Sequence, residues 1–237
     1  MCGRYTLWHP ARLVKQFGLA GQPLLPPEPR YNIAPSQDVP VIVASPDGRT
    51  LRAMRWGFQP GWMGEPRQPP PINARAETLL DRPLFRQALL GGRCVLPADG
   101  FYEWVQGKRR GQRQAMHIRL KGAELFGLAG LTTTDPNGRP TCAIVTTSAN
   151  ELIAPIHPRM PVILAEPEQQ EIWLDPSAPL EAVLGCLQSY PADQMEAFPV
   201  GQLVSSPRND GPQLLEASDA AQPATQPQSL FEDEPPA

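Results

Sequence analysis

The sequence predicts an α+β fold. Short strand-like and helix-like runs interleave without the strand-helix-strand regularity of a doubly wound sheet, and no segment repeats. Residues 10–17 open on Pro10 and are followed by Gly18, the punctuation of a short helix. Residues 39–44 and 50–58 are apolar runs on either side of Ser45-Pro46-Asp47-Gly48, which reads as a hairpin. The stretch 59–71 holds five prolines and two glycines and is a loop. A second short helix spans 83–90 and stops at Gly91-Gly92. Strand-like runs follow at 93–105, 114–120 and 125–134, the first two joined by a basic turn at 107–111. Asp135-Pro136-Asn137-Gly138 turns the chain into another run at 139–148, and 167–174 and 179–188 are helical in pattern.

A length of 237 residues with 41% hydrophobic content suits one large domain, or a domain plus an appendage. No apolar run approaches the roughly 18 residues of a membrane span, and the N-terminus lacks a signal pattern, so a cytoplasmic protein is expected. The four cysteines (Cys2, Cys94, Cys142, Cys186) show no metal-ligand spacing, and neither zinc, disulfides nor a cofactor is expected. The net charge of −3 hides an asymmetry, because residues 211–237 carry five acids and no base. Residues 1–210 hold 19 acids against 21 bases, 18 of them arginine. Arginine suits phosphate binding, although a GC-rich genome produces the same usage. From Gly211 the chain turns to Pro, Gln, Ala and acids, so a domain at 1–210 and a disordered tail at 211–237 are expected. Within that tail Gln226, Leu230 and Phe231 resemble peptides that dock on bacterial sliding clamps, though a Leu-Phe pair in a mobile tail is the simpler reading.

Cys2 is the most informative residue. Its small size allows removal of Met1, which leaves an α-amine and a thiol on adjacent carbons. With ordinary pKa values of about 7.7–8.0 and 8.5, both are usable near neutrality. Such a 1,2-aminothiol condenses with an aldehyde and closes a ring through sulfur, or attacks an acyl carbon. Asn73 could hold that amine, or merely cap a turn while Arg75 and Glu77 form a surface pair. In a strand Phe101, Glu103 and Val105 share one face, placing the Glu103 carboxylate among apolar neighbours as a proton shuttle; an edge-strand glutamate in solvent is the alternative. His157 lies in a proline-pinned turn beside Arg159, either as a positioned imidazole or as a structural one. Arginines interleaved with Trp56 and Trp62 suit stacking on bases and gripping of phosphates, and equally suit a core.

As a set these segments resemble the SRAP (SOS response-associated peptidase) family. The resemblance runs through Met1-Cys2-Gly3-Arg4-Tyr5, Arg30-Tyr31-Asn32-Ile33-Ala34-Pro35, Trp56-Gly57, Gly61-Trp62, Ile72-Asn73-Ala74-Arg75-Ala76-Glu77-Thr78, Asp99-Gly100-Phe101-Tyr102-Glu103-Trp104 and Ile156-His157-Pro158-Arg159-Met160-Pro161, ending near Val204 to Asn209. It implies mixed and antiparallel sheets forming a barrel-like core, short flanking helices and a nucleic-acid cleft. It further implies a monomer that captures abasic sites in single-stranded DNA as a thiazolidine on Cys2. Asn73 would orient Cys2, while Glu103 and His157 would move protons. Arg4, Pro35, Trp62, Arg75, Arg82, Thr146 and Arg159 match the family's DNA-contacting positions. One departure is Trp62-Met63, where some members carry paired tryptophans. The competing classes are an N-terminal-nucleophile amidohydrolase, which also begins Met-Cys-Gly, a non-catalytic DNA-binding module, and a peptidase.

Overall fold

The computed structural model describes residues 2–21, 28–64, 68–106 and 113–218. The expected hairpin forms β3 (Asp38–Ser45) and β4 (Gly48–Trp56), paired antiparallel along their whole length. β3 also meets β6 (Arg93–Ala98), which pairs with β9 (Phe126–Thr134). β9 pairs with β10 (Pro140–Ser148), and β10 returns to β4 in parallel at Cys142↔Trp56. The circuit β3-β6-β9-β10-β4 therefore closes on itself as a barrel. Closure leaves few free edges, and Trp56, Phe126, Leu96 and Ile144 are fully buried in its core.

Three short strands flank this ring. β5 (Asn73–Arg75) runs parallel to β10, β11 (Arg159–Pro161) runs antiparallel to it, and β12 (Ile163–Leu164) pairs with β9. Against the barrel lies an antiparallel sheet of five strands in the order β13 (Met195–Pro199), β8 (Arg113–Leu120), β7 (Gly100–Gln106), β1 (Tyr5–Leu7), β2 (Arg30–Ile33). The helices are short: α1 (Leu13–Phe17), α2 (Pro83–Gly91), α3 (Pro167–Leu174) and α4 (Leu180–Gly185). α1 ends at Gly18, whose φ of 58° is the left-handed conformation that glycine adopts without a Cβ penalty. α3 is opened by a capping box between Glu166 and Gln169.

The run expected as one strand at 93–105 is two strands in different sheets, and Asp99 is the break. Its buried carboxylate accepts hydrogen bonds from the Thr6 hydroxyl (2.5 Å) and from the Trp8 and His9 backbone N–H groups (2.5 and 3.1 Å). The turn at 107–111 lies outside the described residues. Residues 211–218, at the start of the expected tail, pack onto the outer face of the five-stranded sheet. Leu214 is buried there with Tyr102, Ala115, Val200 and Val204, and Ser218 N–H donates to the Pro199 carbonyl. Gln226, Leu230 and Phe231 lie outside the described residues. Among the described residues, no helix is long and apolar enough to cross a membrane, and no group of three or more His, Cys, Asp or Glu is arranged to hold a metal ion.

Candidate functional site

Cys2 precedes β1 and is completely buried. Two neighbours in space fix it. β1 pairs with β7 at Tyr5↔Phe101, and Tyr102 N–H donates to the Arg4 carbonyl at 3.0 Å, so the chain around Cys2 runs beside the strand carrying Glu103. On the other side, Asn73 Nδ2 donates to the Cys2 carbonyl at 3.0 Å. Asn73 is itself held at the start of β5 by its register with Ile144, and Trp56 Nε1 pins the preceding carbonyl, that of Ile72, at 2.9 Å.

The alternation in β7 sends Glu103 toward this buried space and Tyr102 and Trp104 toward the opposite face, as the spacing predicts. Glu103 is only 4% exposed. Burial pushes the Cys2 thiol well above its ordinary range, and the Glu103 carboxylate nearby pushes it further. Both effects disfavour the thiolate of Cys2.

His157 enters through the turn between β10 and β11. Its Nδ1 lies 3.0 Å from the Arg159 backbone nitrogen, whose N–H donates to it. The same Nδ1 lies 3.2 Å from the Arg159 carbonyl oxygen, so both backbone groups of Arg159 border that ring nitrogen. The structure therefore gathers Cys2, Asn73 and Glu103 around one point. His157 is joined to the Asn73 strand through Arg159, which bonds Glu77 and the Thr146 carbonyl.

The residues matched to DNA contacts divide in two. Arg75, Arg82 and Trp62 are exposed, Trp62 by 65%, and among the described residues neither arginine donates a side-chain hydrogen bond. Pro35 is half-buried, directly before Ser36, whose φ is 66°. Arg4, Arg159 and Thr146 carry hydrogen bonds within the protein. Arg4 Nη1 donates to Asn32 Oδ1 and to the Val204 carbonyl, both at 2.7 Å, with the guanidinium over Trp104. Thr146 is fully buried under Arg159.

A cavity of about 680 Å³ lies behind Asp99, lined by Trp8, His9, Arg12, Arg119 and Glu196 among others, and none of Cys2, Asn73, Glu103 or His157 lines it. A smaller one of about 360 Å³ separates Trp62 from α2.

Three residues escape sequence reasoning. Asp99 is a carboxylic acid pushed up to about 6 by burial, against the pull of its three hydrogen bonds. Its Asp-Gly step was the available signal for a strand break. Asn32, completely buried, bonds Arg4 and the carbonyls of Val204, Ser206 and Asn209. Glu77 pairs with Arg159 rather than with its sequence neighbour Arg75. Both of these choices of partner are long-range and leave no local signature.

The family profile described as SOS response associated peptidase (SRAP) matches residues 1–207. The abasic site processing protein YoqW of Bacillus subtilis is 42% identical over 227 residues, covering 92% of this chain and all of that one. The abasic site processing protein YedK of Escherichia coli is 33% identical over 200 residues, covering 80% of this chain and 86% of its own length. A phage-related protein of Bordetella bronchiseptica superposes with a TM-score of 0.69 at 26% identity, over 85% of this chain and 95% of that one. A protein from Bacteroides thetaiotaomicron reaches 0.76 at 23% identity, over 92% of this chain and all of that one, which shows a shared fold. With that profile matching residues 1–207 of the 237, this chain belongs to the SRAP family.

Proposed function

We propose that this protein recognises abasic sites in single-stranded DNA and captures them covalently on Cys2 after loss of Met1. The observation that carries this reading is the hydrogen bond from Asn73 to the Cys2 carbonyl beside the buried Glu103. The relatives' names as abasic site processing proteins point the same way.

The chemistry follows from the groups present. The ring-opened sugar presents an aldehyde at C1′. The Cys2 amine adds to that carbon, and the resulting carbinolamine loses water to give an imine. The sulfur then bonds to the same carbon as the thiol proton passes, through Glu103, to the former imine nitrogen. A five-membered thiazolidine results, with one water released overall. Glu103 and His157 supply and remove the protons that open the sugar and expel water. Asn73 holds the reacting backbone, where a misplacement of about 1 Å can slow reaction on the order of 10²-fold. Arg75, Arg82 and Trp62 offer the exposed charge and ring that suit a single strand.

The test is incubation with a single-stranded oligonucleotide bearing one abasic site, followed by denaturing electrophoresis and intact mass. The expected adduct weighs the chain without Met1, plus the oligonucleotide, less one water. Cys2→Ala and undamaged DNA should give no band. A band of equal strength in Cys2→Ala rejects the reading.

A further inference from the structure

Arg159 sits two residues beyond His157, with a side chain only 16% exposed. Its Nη1 and Nη2 donate to the two carboxylate oxygens of Glu77, at 2.6 and 2.8 Å, and Nη2 also donates to the Thr146 carbonyl at 2.6 Å. A fork of this kind fixes a guanidinium in direction as well as distance. Thr146 lies on β10, and the two partners come from opposite sides of that strand. Glu77 sits in the turn (Ala76–Thr78) that directly follows β5, the strand begun by Asn73. Arg159 opens β11 on the other edge and holds His157 Nδ1 through its backbone N–H at 3.0 Å. One guanidinium thus bolts the segment that carries Asn73 to the turn that carries His157. The fork holds the Glu77 carboxylate below its usual range, so the bolt is ionised at neutral pH. Arg75, beside Glu77 in sequence, is exposed and was the nearer partner for simple charge balance.

We propose that Glu77 is a positioning residue for His157, acting through Arg159. This rests on the covalent-capture reading above. Two effects of opposite sign follow for Glu77→Gln. Loss of a negative charge strengthens binding to any single strand. Loss of the ionic fork loosens the His157 turn and slows capture once DNA is saturating.

The test uses the full chain, with Met1 removal verified by mass. Affinity for an undamaged oligonucleotide is measured by fluorescence anisotropy, and the rate of adduct formation on an abasic oligonucleotide at saturation. Glu77→Gln should bind about 2–5-fold tighter at low salt. It should also react about 10-fold or more slowly, as expected for a misplaced catalytic group. Glu77→Asp, which keeps the charge but shortens the reach, should slow capture with affinity unchanged. Because both residues act through one group, Glu77→Gln/His157→Gln should be no slower than His157→Gln alone, within about twofold. Wild-type capture rates in Glu77→Gln, or effects of the two substitutions that multiply, overturn the inference and leave covalent capture standing. Absence of any Cys2-dependent adduct in the wild-type chain overturns the capture reading, and this inference with it.

Discussion

Asn32→Leu is expected to destabilise the protein by about 3–5 kcal/mol, although it removes no apolar contact and fits the same volume. Asn32 is fully buried on β2 and is the hub between the N-terminal strand and the segment 203–209. Its Oδ1 accepts from Arg4 at 2.7 Å, a charge-assisted bond worth about 1.5–3 kcal/mol. Its Nδ2 is shared among the carbonyls of Val204, Ser206 and Asn209 at 3.2, 3.0 and 2.9 Å, and two neutral bonds add about 1 kcal/mol each. Arg4 keeps its bond to the Val204 carbonyl, which sets the upper limit. At about 2–4 °C per kcal/mol for a domain of this size, the midpoint should fall by about 10 °C. Thermal unfolding followed by circular dichroism measures that midpoint, and urea denaturation measures the free-energy loss. A loss below about 1 kcal/mol would refute the hub and leave the apolar packing of Val204 and Leu214 as what holds the segment down.

Gly100→Ala should cost about 1–3 kcal/mol, because its Cβ would lie 2.3 Å from His117 Nε2 and 3.0 Å from Thr6 Oγ1; an unchanged denaturation midpoint would show that His117 can move aside. His117 is buried against Tyr102 and Phe198, and desolvation pushes its imidazole down to about 3 from 6.5. The unfolded chain therefore binds a proton that the folded chain refuses, and stability falls as pH drops through about 6.5 toward 3, by at most ~1.4 kcal/mol per unit. Asp99, raised to about 6 from 3.8, works in the opposite sense between those values, so the comparison needed is wild type against His117→Phe. The two should diverge in stability below pH 6.5, and parallel pH profiles would count against the assignment. Finally, a chain ending at Ser218 should unfold like the full-length protein. One ending at Asp210 removes buried Leu214 and the bridge Val200↔Ala217, and should lose about 2–4 kcal/mol in the same urea titration.

What the sequence made legible was local. The hairpin at 38–56, α1, α2 and α3 are bounded by Pro, Gly and a capping pair acting within a few residues of each element. The three-residue strands β1, β5 and β11 are too short to carry a periodicity, and they exist because longer partners hold them. The break at Asp99 was hidden because apolar alternation resumes at Phe101. What splits the run is a carboxylate satisfied by residues over 90 positions away. The packing of 211–218 was hidden for a similar reason, since Leu214 is apolar in a polar stretch and finds a face built by Tyr102 and Val200. The placing of Asn73 against Cys2 came from the family resemblance, because nothing in the 70 intervening residues encodes it locally.

Burial sets the order of bond formation in the proposed reaction. A free 1,2-aminothiol in water presents thiolate and amine in comparable amounts near neutrality, and either can lead. Here desolvation and the Glu103 charge both disfavour the thiolate, whereas the neutral amine requires no buried charge. On the proposed reading nitrogen attacks first, and sulfur closes the ring once the electrophilic carbon is tethered. The same burial explains why this cysteine need not be a hazard. A thiol kept protonated and out of solvent is a poor target for stray electrophiles, and on the proposed reading it becomes a nucleophile only within reach of the carbon that the amine has delivered.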